Sequence, residues 1–237
     1  PEAESVFVLD EVKKLIQQGV PPQEIAILYR NHTSGDRLAE LFLAEGVPFV
    51  LTRSENLLDR PVIQRFIELL TYLAEEWRNP LSQNGELFSL LHEPFWQLDS
   101  LTLARLAINF NGKKKDFSWR EAIQQLPEAQ TPELFGSSPQ DGQARDRIVW
   151  AVKTLESCIG LVESETLPGL LEKVMQRTGL LRWTLSQPDK LREFTAIKRF
   201  FEFARQESLR KPRLKLGDFL GILSQMQEAG IRIPLTD

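Results

Sequence analysis

A chain of 237 residues, 42% hydrophobic and 26% charged, is long enough to bury one large core or two modest ones, which excludes a disordered or fibrous protein. Its formal net charge of -4, from 29 Lys and Arg against 33 Asp and Glu, excludes a surface that clings to phosphates everywhere, so any nucleic-acid contact must be local. The single cysteine, Cys158, excludes an internal disulfide, and His32 and His92 alone make no zinc set.

Val6, Val8 (or Leu9), Val12, Leu15 and Ile16 recur at helical spacing, and Gly19, Pro21 and Pro22 stop that helix. Ile25 to Leu28 form a short apolar run of the kind found in a buried parallel strand, followed by the polar loop NHTSGD. RLAELFLAEG then predicts a second amphipathic helix ending at Gly46, and VPFVL a second short strand. Two strands alone leave a sheet with bare edges, so this α/β half, residues 1–60, is expected to be completed by strands from a longer parent.

From Pro61 onward the pattern is helical. Pro61 suits the first turn of PVIQRFIELLTYLAEEW, in which Val62, Phe66, Leu69, Leu70 and Leu73 make one apolar face. Further helices are predicted over 85–92, 99–108, 118–125, 144–163, 167–178, 189–209 and 216–229, with a long mobile loop over 127–143. Residues 61–237 therefore read as a helical domain, and the chain as predominantly α overall. Cys158 falls in an apolar run and is expected to be a core thiol. Trp77, Trp96, Trp150 and Trp183 are expected in helix packing rather than as base-stacking platforms.

The stretch IAILYRNHTSGDRLAELFLAEGVPFVLTRSENLLDRPVIQRFIELLTYL resembles the second motor domain of the superfamily 1 helicases UvrD, Rep and PcrA. It has a strand ending in LYR, a polar loop, a helix, GVPF, and a D-R-x-x-I step into an apolar helix. LFSLLHEPFWQLDSLTLARLA is similar to the helical insertion of the RecB and AddA helicase–nuclease branch. The resemblance implies a partial RecA-like half-domain followed by a mainly α-helical insertion domain, cut from a longer helicase. Where UvrD carries a Gly-Ile-Gly hairpin against duplex backbone, this chain has Trp96, Gln97 and Leu98, which argues against duplex contact there.

By the same resemblance, the loop after LYR touches single-stranded DNA, which makes Arg30, Asn31 and His32 candidates for a phosphate, a base or sugar, and a stacking contact. Arg30 paired with a neighbouring acid and His32 merely exposed is the structural alternative. Arg53 and Asn56 follow the second predicted strand where UvrD-like proteins place a basic DNA contact; a plain polar turn explains them equally. Asp59 matches the family step and is also expected to cap the helix begun by Pro61. Lys113, Lys114 and Lys115 form the densest basic run and are candidates for duplex or displaced-strand phosphates, against the alternative of a solvated loop. Arg205 to Lys215 is a second basic segment open to the same two readings.

No Gly-rich loop ending in Gly-Lys-Thr occurs, so no ATPase activity is expected of this chain and no cofactor within it. ATP and magnesium are expected in the parent helicase. The implied partners are single-stranded and duplex DNA, the rest of the helicase chain, and a separate nuclease or repair protein of the same machine. The alternative function is that of a protein-interaction module docking such a partner. The sequence shows no membrane span and no basic leader, so the expected location is the cytoplasm.

Overall fold

The computed structural model describes residues 2–29, 32–50, 56–110, 118–124 and 139–235. They fall into two compact units, Pro1–Ser54 and Glu55–Asp237.

In the first unit, α1 (Glu2–Gln17) and α2 (His32–Ala44) pack on one another around Leu9, Val12 and Phe42, with Ile16, Ile25, Ile27, Leu38 and Val47 half-buried beside them. Lys13 Nζ reaches Glu45 at 2.6 Å and ties α1 to the end of α2. Gly19 and Gly46, both at positive φ, end the two helices as expected. The expected strands are the difference. Ile25–Tyr29 and Val47–Val50 join no ladder among the described residues, and Leu28 and Val50 are 97% and 92% exposed. An apolar run encodes a wish to be buried, but a strand exists only where another strand meets its N–H and C=O groups.

Helix α2 also starts a turn earlier than predicted, absorbing most of the polar loop from His32 onward. Gly35 explains how this first turn packs. A Cβ at Gly35 would lie 2.5 Å from Tyr29 Cζ, so the bare backbone is the seat of the Tyr29 ring.

The second unit is all helical among the described residues. Its helices are α3 (Pro61–Arg78), α4 (Asn84–Leu91), α5 (Ser100–Phe110), α6 (Trp119–Gln124), α7 (Pro139–Ile159), α8 (Leu167–Arg177), α9 (Leu180–Leu185), α10 (Lys190–Arg210) and α11 (Leu216–Glu228). Helix α3 is the central post: α4, α7, α10 and α11 all pack against it. Its apolar face is buried as the spacing predicts, and Phe66 meets Phe200 edge-on at 5.7 Å and Phe201 stacked at 6.2 Å. Cys158 is fully buried, and burial pushes its thiol up, as suits a core residue rather than a nucleophile.

Two expectations for this unit are corrected. Helix α7 begins at Pro139, inside the stretch expected to be a loop, with proline tolerated in a first turn whose N–H groups have no helical acceptor. The segment before α10 folds as the separate helix α9, opened by Gly179 at φ +77°. No helix among the described residues is long and apolar enough to cross a membrane.

Candidate nucleic-acid interface

Arg30, Asn31, Arg53, Lys113, Lys114 and Lys115 lie outside the described residues, as does the side chain of His32. Tyr29, one residue before Arg30, is held by its ring on Gly35 of α2, so the chain on either side of Arg30 and Asn31 is fixed. The next residue, His32, opens a 13-residue helix whose first turn holds no acidic side chain. The positive end of the helix dipole favours an approaching anion there.

The lysine run is anchored at both ends. Phe110, the last residue of α5, meets Trp119 edge-on at 5.2 Å, and Phe88 of α4 meets the same ring at 5.1 Å. The Trp119 N–H donates to Asn84 Oδ1 at 2.9 Å. Arg120, buried, reaches Glu76 at 3.3 Å and Glu156 at 3.2 Å. Glu76 is itself buried and also accepts the N–H groups of Leu81 and Gln83, at 2.5 and 3.3 Å. This carboxylate therefore fixes the α3–α4 turn and the foot of the lysine segment together.

Asn56 is described in full, and its amide is engaged inside the second unit. Its Oδ1 accepts from the N–H of Ile233 at 3.1 Å and of Leu58 at 3.4 Å, and its Nδ2 donates to Asp59 Oδ1 at 3.1 Å. Leu57 N–H donates to Ile233 O at 2.8 Å, and Asn56 forms an antiparallel bridge with Pro234. The first and last described segments of this unit thus run side by side. Asp59 is spent on Asn56, and the expected cap comes from elsewhere: the N–H of Val62 donates to Glu193 Oε2 at 3.3 Å, across from α10. No local signal announces that partner, because it lies 131 residues away.

The turn that replaces the Gly-Ile-Gly hairpin points inward. Pro94–Trp96 is a 3-10 turn whose Phe95 and Trp96 are 3% and 1% exposed, and Gln97 follows in the left-handed region at φ +55°. Arg147 Nη1 holds that turn by donating to Gln97 O at 3.0 Å. Just before it, Glu93 pairs with Arg65 at 2.8 Å, and the Arg65 guanidinium lies 5.1 Å over the Trp183 ring. Burial pushes Glu93 up, with Arg65 pulling the other way. Trp150 is half-exposed and rests on Trp96 at 5.6 Å, Trp77 is also 46% exposed, and Trp183 is partly buried, so only Trp96 of the four tryptophans expected in packing is fully covered. Among the described residues no group of three or more His, Cys, Asp or Glu side chains is placed to hold a metal ion.

Residues 1–109 match the UvrD-like helicase C-terminal domain family. The match bears out the UvrD-like reading of residues 24–75 and runs on through the Pro-Phe turn and α5. Among curated proteins, an ATP-dependent helicase/nuclease subunit of Lactococcus lactis subsp. cremoris (strain SK11) is 26% identical over 130 residues. The exonuclease/helicase protein RexA of strain MG1363 of the same subspecies is 27% identical over 130 residues, and the ATP-dependent helicase/nuclease subunit of L. lactis subsp. lactis (strain IL1403) 28% over the same length. Each likeness covers 54% of this chain and only 10% of the relative, so the chain corresponds to a small part of those proteins. These relatives fit the helicase–nuclease branch rather than UvrD itself.

Proposed function

We propose that this chain is a segment of an ATP-dependent DNA helicase–nuclease, in which the first unit contributes single-strand contact and the second is a helical insertion whose position regulates the motor. One observation carries the insertion reading. The incoming strand at Asn56–Leu57 and the outgoing strand at Ile233–Pro234 are bonded to each other, the geometry of a body inserted into another domain through a single neck. The family match and the names of the relatives support the motor context.

In this reading Arg30 holds a phosphate while Asn31 and His32 meet the sugar or base, next to the N-terminus of α2, and Arg53 adds a second positive charge. Lys113, Lys114 and Lys115 meet phosphates of duplex or displaced strand. ATP and magnesium act on residues elsewhere in the parent, since the sequence offers no phosphate loop. The parent works in the cytoplasm on DNA repair or recombination. Fluorescence anisotropy of the 237-residue chain with a labelled single strand is expected to show weak, salt-sensitive binding that Arg30→Ala weakens about 5- to 10-fold, the loss of one charge-assisted phosphate contact. Unchanged binding by that variant, or ATP turnover by the purified chain, overturns the reading.

A second reading, docking of a partner protein, is favoured by the outer face of α5. Leu101 and Ile108, two turns apart on one stripe, are 61% and 76% exposed, and Ile108 borders an open cleft of about 440 Å³ with Phe88 and Trp119. Co-purification with the parent's nuclease partner, abolished by Ile108→Glu, would favour it over the first.

A further inference from the structure

The charge on the outside of α10 is opposite to that of the chain. Between Lys190 and Arg213, seven cations are exposed: Lys190, Arg192, Lys198, Arg205, Arg210, Lys211 and Arg213. No acid in that span is fully exposed. Glu193 is turned inward to Arg60, Glu207 is buried beside Arg210, and Glu202, half-exposed, lies 3.8 Å from Lys198 and 3.5 Å from Arg199. Among the described residues Lys190, Arg192 and Arg205 pair with no acid. The acids Asp189 and Asp218 bracket the span without entering it. The burial pattern explains how the face arises: Ala196, Ile197, Phe200, Ala204 and Glu207 face the core, which sends Lys198 and Arg205 straight outward.

We propose that this outward face of α10, with the turn that follows it, binds the phosphate backbone of double-stranded DNA. It extends the reading above by giving the second unit a site of duplex contact on α10, separate from the lysine segment, and it rests on the parent being a DNA motor. A 21-residue helix is about 31 Å long, the rise of roughly nine base pairs, so the cations are spread over a length on which a duplex offers many phosphates. The face has Phe194 as its only exposed aromatic, so it offers no platform for unstacked bases, which argues for duplex over single strand. It also lacks what a lipid surface needs. The exposed apolar residues lie at opposite ends, Leu191 and Phe194 at one and Leu209 at the other, about 27 Å from Leu191, rather than as one continuous apolar stripe.

The test is salt-dependent binding of the 237-residue chain to a blunt DNA duplex, comparing the wild type with the double variant Lys198→Gln/Arg205→Gln and the control Lys153→Gln, an exposed cation on α7. The double variant is expected to bind about 10-fold more weakly at low salt and to lose roughly 1.8 from the slope of log affinity against log salt, about 0.9 for each phosphate contact removed. The control should match the wild type. Undiminished duplex binding by the double variant, an equal loss in the control, or binding to phosphatidylserine-containing vesicles in place of duplex overturns the proposal. Circular dichroism of each variant separates lost contact from lost fold. Arg30→Ala, tested with single strand and duplex in parallel, keeps the two claims apart: it should weaken only the single-strand signal.

Discussion

Glu193 clasps Arg60 across 133 positions of sequence, and the same carboxylate accepts the N–H of Val62. One side chain on α10 thereby neutralises the residue that precedes α3 and caps the first turn of the bundle's central post. Both partners are largely buried, at 16% and 13% exposure, so removing either leaves the other charge poorly solvated. Glu193→Ala is expected to cost about 2–4 kcal/mol, and Arg60→Ala/Glu193→Ala to cost less than the sum of the single changes by about 1–2 kcal/mol. Urea denaturation of the four proteins measures this directly. Additive losses would show that the pair is incidental.

Asn56→Ala removes the acceptor that pins Ile233 and the donor to Asp59. A loss of about 1–2 kcal/mol is expected. The more specific readout is hydrogen exchange, in which the amides of Leu57 and Ile233 should lose protection together while those of the α3 core keep theirs. Protection at Ile233 that survives the substitution would mean the neck is held by other contacts.

Asp99 opens α5 by accepting from Thr102 N–H at 2.8 Å and Thr102 Oγ1 at 2.5 Å. Burial pushes this carboxyl up, but the hydrogen bonds from Thr102, together with backbone N–H groups of Asp99 and Leu101, outweigh it and hold the group below the ordinary carboxylate range. A depressed folded value means that the stabilisation is complete above the unfolded pKa and is lost as pH falls through the folded one. Asp99→Asn, which can still cap, should therefore flatten the acid limb of a stability–pH profile between about pH 2 and 5 and change little at neutral pH. An acid limb identical to wild type would contradict the assignment.

Gly35 gives a sharp steric test, since Tyr29 Cζ stands 2.5 Å from where a Cβ would be. Gly35→Ala should destabilise the first unit by about 1–3 kcal/mol by displacing the ring. Tyr29→Ala in the same chain should recover part of that loss. Because the ring fixes the residue before Arg30, Gly35→Ala should also weaken single-strand binding, and an unaffected affinity would separate the two.

Much of the second unit is legible in its apolar spacing, because a helix that buries one face writes that face into positions three and four apart; Val62, Phe66, Leu69, Leu70 and Leu73 all sit in the core. Its joints are not legible. Glu193 as the cap of α3, Ile233 as the partner of Asn56 and Glu76 as the clasp of Arg120 are pairings across 131, 177 and 44 positions, and neither the two glutamates nor the backbone of Ile233 signals its partner locally. In the first unit the reverse holds. Ile25 to Leu28 announce burial locally, but what they pair with is not encoded in the run itself, and Leu28 stands open to solvent. Of the candidate site, the basic lysine run and the α10 cations are visible as composition. That Glu193 and Glu207 turn inward and leave the outside of α10 positive only follows once the helix has a buried side.

The bonded neck at Asn56 and Ile233 has a consequence for how such a chain can vary. In the proposed reading, a body whose first and last segments meet at one spot can be lengthened, shortened or exchanged without rerouting the polypeptide that carries it, because its two ends stay side by side. Opening the chain at an exposed turn far from the neck and joining residues near 56 and 234 by a short linker should therefore give a permuted second unit that still folds.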